Sequence, residues 1–101
     1  MKWILALSMF WALPTNPQPP TLQKVAEIRV RYMADMNYKG HPPYSIGSPW
    51  KNGARFEGCG WGRRNQNPKT IGTCRPRTRL RLAADAVATG KFGTYRLRLW
   101  R

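Results

Sequence analysis

From Leu80 to Trp100 the chain alternates in steps of two, and this pattern constrains the fold more than any other. Leu80, Leu82, Ala84, Ala86 and Ala88 alternate with Arg79, Arg81, Ala83, Asp85 and Val87. After Thr89-Gly90-Lys91-Phe92, Tyr95, Leu97 and Leu99 alternate with Arg96, Arg98 and Trp100. Successive side chains of a strand point to opposite faces, so the two runs predict a hairpin with one apolar and one cationic face. Pairing Ala88 with Gly93 sets Asp85 against Arg96 and Arg81 against Trp100, whereas a shift by two residues would set Arg81 against Arg98. Charge favours the first register. The alanine content of the first run leaves a helical reading open.

The apolar face of such a hairpin needs a cover. Leu22 to Met36 supplies one: Leu22, Val25, Ala26, Ile28, Val30, Tyr32, Met33 and Met36 fall on one helical face, with Gln23, Lys24, Glu27, Arg31 and Asp35 on the other. Pro20 and Thr21 supply the start, Thr21 as N-cap, and Asn37 to Gly40 the stop. Arg29 falls inside the apolar arc, where a guanidinium must find a partner or reach past the edge; among the acids, Glu57 is the candidate. His41 to Gly53 is rich in proline and turn formers and reads as an irregular loop carrying Tyr44 and Trp50. Ala54 to Trp61 reads as a short strand in which Gly58, Gly60 and Gly62 imply a bend or close backbone contact. Arg63 to Arg77 is a basic loop. The expected fold class is α+β: one N-terminal amphipathic helix packed on a small antiparallel sheet with a C-terminal hairpin.

Upstream, Met1-Lys2 followed by the apolar run Trp3 to Leu13 has the order of an export signal or N-terminal anchor over residues 1–13. Its 11 apolar-run residues are too few to cross a bilayer, so no transmembrane span is expected. The proline-rich stretch 14–20 reads as an extended linker, and residues 21–101 as one small basic domain. A secreted, periplasmic or cell-envelope location follows. Burial of the first 13 residues in the domain core remains the intracellular alternative.

Lys and Arg total 18 against 4 acids, and all but Lys2 of those cations fall after the apolar run. Such an excess draws a chain towards anionic polymers, lipid surfaces or nucleic acid, and arginine suits bidentate contact with phosphate and carboxylate. Arg79, Arg81, Arg96, Arg98 and Trp100, on the outer face of the hairpin, form the expected anionic-ligand surface. Cys59 and Cys74 should pair as a disulfide in an oxidising compartment, worth about 3 kcal/mol in the chain-entropy picture. If Cys59 is instead free, a thiol dyad with His41 becomes available. His41 and Glu57 are the candidate acid-base or metal-binding residues. His41, Cys59 and Cys74 do not make a four-ligand structural zinc set, and no cofactor is expected.

From Val25-Ala26-Glu27-Ile28-Arg29-Val30-Arg31-Tyr32-Met33-Ala34 through Gly40-His41 to Ala54-Arg55-Phe56-Glu57-Gly58-Cys59-Gly60-Trp61-Gly62, the chain resembles a pared-down member of the CAP superfamily, the cysteine-rich secretory, antigen 5 and pathogenesis-related group. The resemblance implies a secreted α-β-α sandwich closed by Thr94 to Trp100, with His41 and Glu57 sharing a cleft. To that family's metal site of two histidines and two glutamates this chain offers only His41 and Glu57. The leading expectation is therefore a non-enzymatic exported binder of an anionic polymer or envelope surface. The alternatives are a CAP-like protein using His41 and Glu57 for metal binding or hydrolysis, and an intracellular nucleic-acid-binding protein.

Overall fold

The structure is a computed structural model and describes residues 18–101. The expected export signal or anchor, 1–13, and the linker residues 14–17 lie outside the described residues. One helix, α1 (Leu22–Met36), precedes the strands β1 (Phe56–Gly62), β2 (Leu82–Thr89) and β3 (Thr94–Trp100). A single 3-10 turn, Pro68–Thr70, interrupts the loop between β1 and β2. The strands form one antiparallel sheet in the order β1-β3-β2, so the chain is an α+β fold with β3 at the centre.

Helix α1 begins where the Thr21 side chain accepts a hydrogen bond from the Lys24 amide. It ends at Asn37, which adopts the left-handed conformation and donates its own amide to the Met33 carbonyl. Leu22, Val25, Ala26, Arg29, Val30, Met33 and Ala34 are buried. Those positions recur at the three- and four-residue spacing of one helical stripe. The stripe is narrower than the sequence implies, for Ile28 and Met36 are exposed and Tyr32 is only half-buried.

The stripe packs on one face of β2 and β3. There Ala84, Ala86 and Ala88 from β2 and Tyr95, Leu97 and Leu99 from β3 complete the core. The alanines that made β2 look helical serve the sheet: their short side chains let α1 lie close, and the large residues of β3 fill the remaining depth. Tyr95 donates its hydroxyl proton to the Asn37 side chain, tying the helix end to the central strand.

The hairpin register differs from the expected one. Thr89 lies opposite Thr94 and Asp85 opposite Arg98, because Gly90 to Gly93 form the connection and the Gly90 amide closes it on the Gly93 carbonyl at 2.8 Å. A bulge between Leu82 and Ala84 interrupts the alternation, so Leu82 pairs with Trp100 and turns outward, where it is exposed. Beyond the bulge, Arg81 and Arg101 exchange both backbone hydrogen bonds, at 2.8 and 2.9 Å. Arg81 thus follows the alternation of Leu99 rather than that of Arg98, and Arg79 precedes the strand altogether.

On β1, Phe56, Gly58, Gly60 and Gly62 share the face of Trp100, Arg98, Arg96 and Thr94. The chain from Ile71 to Cys74 lies directly over it: a Cβ on Gly58 would collide with the Cys74 carbonyl oxygen, and one on Gly60 with that of Gly72. The glycines therefore serve close backbone approach, one of the two roles implied by their spacing. Among the described residues this outer face is covered by a loop, not by the second helical layer of an α-β-α sandwich.

Candidate functional site

The opposite face of β1 carries Glu57, Cys59 and Trp61. Glu57 is buried beside the equally buried Arg29, which occupies the middle of the α1 stripe at 2 % exposure. Arg29 Nε donates to Glu57 Oε2 at 2.5 Å and Nη2 to Oε1 at 2.9 Å. The remaining guanidinium protons go to the carbonyls of Pro42 at 2.8 Å, Pro43 at 3.0 Å and Ile46 at 2.7 Å. A guanidinium has five N–H donors, and all of Arg29's are used. The group thereby fastens α1, the 42–46 loop and β1 to one another, with Glu57 supplying the counter-charge that its burial requires.

His41, in the loop after α1, brings Nδ1 to 2.7 Å from Glu57 Oε1. Its side chain is 64 % exposed while that of Glu57 is 1 % exposed, so the pair lies at the surface end of the Arg29 clasp. Cys59 joins them, with Sγ 3.6 Å from the same His41 Nδ1. Glu57 and Cys59 are two positions apart on one strand and so must share a face. That spacing was the sequence signal for a three-residue cluster.

Chemically the cluster is quiet. Burial first, then the negative charge of Glu57, push the Cys59 thiol up to about 12, with Arg29 opposing and Cys74 adding to the rise. A thiol so held is protonated and weakly nucleophilic at neutral pH, and a metal would have to displace its proton to bind it. The glutamate and the thiol both face the same imidazole nitrogen, whereas a relay needs one partner on each. His41, Glu57 and Cys59 place one ligand atom each within 4.8 Å of one another, a donor set that zinc accepts. Both Glu57 oxygens, however, already serve Arg29, so a dication would have to share them with a guanidinium.

Cys59 and Cys74 are both free, and the disulfide expected between them is not formed. Cys59 points to the helix-side face of β1, whereas the Cys74 backbone lies over Gly58 on the outer face.

The five residues expected to bind an anionic ligand do not form one solvent-facing surface. Arg96, Arg98 and Trp100 share the outer face of β3, but each is half-buried, Arg96 beneath the loop carbonyls of Pro68 and Ile71. Arg79 and Arg81 are exposed and lie elsewhere, for the reasons given by the bulge. Arg96 holds Asp85 through Nε at 3.0 Å and Nη2 at 2.7 Å, and its Nη1 donates to the carbonyls of Pro68 and Ile71. The Asp85 hydrogen bond raises the Arg96 pKa, and burial opposes it. Arg96 thus ties the loop to the sheet, and a cleft of about 340 Å³ opens beside it between Asn67, Pro68, Lys69, Asp85 and Val87.

Apart from Lys24 on α1, the exposed cations without a side-chain partner among the described residues lie on the loops and at the C-terminal residue. Among the described residues every Lys and Arg except Arg29, Arg96 and Arg98 is exposed, against two exposed acids, Glu27 and Asp35. Asp35 already pairs with Arg31. Between Gly58 and Ala84 there is no acid, and Arg63, Arg64, Lys69, Arg75, Arg77, Arg79 and Arg81 are all exposed. No helix among the described residues is long and apolar enough to cross a membrane. No protein-family model, curated protein or solved structure matches the chain.

Proposed function

We propose that this chain is an exported, non-enzymatic domain that binds an anionic polymer or envelope surface through the cations of its β1–β2 loop. The observation that carries this reading is the acid-free run from Arg63 to Arg81, in which every cation is exposed. Uncompensated charge of one sign on a small fold costs stability through self-repulsion, and an anionic partner removes that cost while being drawn in by it. Tyr44, Trp50, Trp61 and Phe92 are exposed aromatics that offer flat apolar surface to a partner.

The test is a titration of the full chain with phosphatidylglycerol vesicles, an acidic polysaccharide and duplex DNA, each compared with the triple variant Arg77→Gln, Arg79→Gln, Arg81→Gln. These side chains hold nothing together in the fold. An arginine near an anionic surface contributes about 1 kcal/mol, so removing three should weaken binding by about a hundredfold. Equal binding by parent and variant would reduce the basic loop to a solvated surface and end the proposal. Preference for DNA over the other two probes would favour the intracellular nucleic-acid reading.

A second reading, a CAP-like protein in which His41 and Glu57 bind a divalent metal or activate water, is supported by their 2.7 Å approach at the protein surface. Equilibrium dialysis against Zn²⁺ separates it from the first: saturable binding lost in His41→Ala supports a metal role, and absence of binding in the parent removes it.

A further inference from the structure

On the outer face of the sheet, two hydrogen-bond donors have been buried with nothing to accept from them. Arg98 Nε and Trp100 Nε1 are both inaccessible, and neither has a partner among the described residues. The two residues are neighbours on one face of the central strand, two positions apart. Buried N–H groups are nearly always paired, and each orphan costs about 1–3 kcal/mol, so two side by side indicate an absent acceptor.

The nearby charges say what kind of acceptor. Arg98 lies directly opposite Asp85, yet that carboxylate is held at both oxygens by Arg96. Burial lowers the Arg98 pKa, the charges of Arg96 and then Arg75 lower it further, and Asp85 only partly offsets them. Arg96 and Arg98 thus face one carboxylate, and Arg75, next to the Cys74 carbonyl that lies over Gly58 opposite Arg98, adds a third positive charge on the covering segment. A water molecule could accept the orphan protons, but it would bring no charge to such a cluster; an anion satisfies both needs at once.

We propose that Arg98 and Trp100 on the sheet, with Arg75 on the segment above them, form a site for a tetrahedral oxyanion, a phosphate or sulfate group. A guanidinium edge offers two parallel N–H groups to two oxygens, and the indole offers a separate donor to a third. Three acceptor oxygens on one group describe phosphate or sulfate better than carboxylate. The way in is through the cover. Residues 72–79 donate no backbone hydrogen bond among the described residues, so that segment rests on the sheet without a ladder to hold it. Entry of an anion requires that segment to lift from the sheet. This site rests on the anionic-ligand reading above and names the chemical group that reading would place on the sheet.

The experiment follows the indole Nε1–H of Trp100 and the Nε–H of Arg98 by ¹⁵N-correlated NMR on the full chain. Inorganic phosphate is titrated at constant ionic strength against chloride, with vesicles of phosphatidic acid and of phosphatidylcholine as separate arms. Both signals should move together and saturate with phosphate, and not with chloride. Arg98→Lys keeps the charge but loses the fork, so the phosphate concentration at half-saturation of the Trp100 signal should rise about tenfold. A conserved spectrum away from the site shows that the variant has folded; the parent's own titration decides the question if it has not. Saturation also by phosphatidic acid vesicles assigns the group to a lipid headgroup, and saturation by inorganic phosphate alone to a free anion. Signals that stay still, or that move equally with chloride, overturn the site. If they stay still while the chain binds anionic vesicles, the site fails and the broader reading stands. If they saturate with phosphate while no anionic polymer or surface binds, the broader reading fails and the site stands.

Discussion

Replacing Glu57 with Gln should show how far the fold depends on one buried charge pair. Arg29 and Glu57 have side-chain exposures of 2 % and 1 %. The substitution keeps volume and shape but removes the counter-charge. It also sets an amide NH₂ where one carboxylate oxygen accepts from Arg29, so one guanidinium donor meets another donor. The three carbonyls of Pro42, Pro43 and Ile46 still accept from Arg29, but they are dipoles and not charges. Breaking a buried pair by removing one partner costs about 3–5 kcal/mol. In a domain of this size about 1 kcal/mol moves the melting temperature by roughly 4–8 °C, so a fall of at least about 12 °C is expected. Circular dichroism during heating, with urea titration at one temperature, measures it. The double variant Arg29→Met, Glu57→Met leaves no orphaned charge and should be more stable than Glu57→Gln alone. A Glu57→Gln protein melting within about 2 °C of the parent would refute the reasoning, since a total stability of about 5–15 kcal/mol cannot hide a loss of that size.

His41→Ala, by contrast, removes an exposed partner while both Arg29 contacts to Glu57 remain, and denaturant titration should find a loss under about 1 kcal/mol. Gly60→Ala forces a Cβ against the Gly72 carbonyl and should cost about 1–3 kcal/mol, while Gly72→Ala, whose Cβ meets nothing within 4 Å, should stay within about 0.5 kcal/mol of the parent. Iodoacetamide at about pH 8 should label exposed Cys74 and leave Cys59 untouched until the chain is unfolded, read by mass spectrometry of the peptides. Because the folded Cys59 thiol titrates at about 12 and the unfolded one at its ordinary 9.0, the neutral thiol stabilises the fold below about pH 9, and that contribution is lost as pH rises towards 12. Urea midpoints at about pH 8 and about pH 10.5 should therefore differ less in Cys59→Ala than in the parent.

Much of the scaffold is legible in the sequence because its signals are local. Thr21 as a cap, the three- and four-residue spacing of the α1 stripe and the period-two run of β3 each fix their element without reference to the rest. The sequence also named the partner of Arg29: a cation in an apolar arc must find a partner or reach past the edge, and of the four acids Glu57 was the candidate for the first course, the one the structure takes. What was not readable depends on contacts distant in sequence. Leu82 continues the alternation of Ala84 in the sequence, yet the pairing of Arg81 with Arg101 across the end of the hairpin inserts a bulge and turns it outward. Cys59 and Cys74 look like a pair until β1 is seen to carry one on its inner face while the loop lays the other over its outer one. The cationic face failed as a single surface for the same reason: alternation sorts side chains between faces but cannot say that a loop will cover one of them. The orphaned donors of Arg98 and Trp100 appear only once that cover is in place.

Salt dependence tests the proposed anionic binding most directly. Affinity of the full chain for phosphatidylglycerol vesicles and for duplex DNA is measured by fluorescence at about 50, 100 and 200 mM NaCl, and its logarithm is set against that of the salt concentration. If four cations of the basic loop each neutralise one DNA phosphate, the slope is about −3.6, and affinity falls by about a hundredfold over that range. A steep slope for at least one probe, flattened in the Arg77→Gln, Arg79→Gln, Arg81→Gln variant, is the expected result. A parent protein that binds none of the anionic probes at 50 mM salt, or that binds them with no dependence on salt, would contradict it.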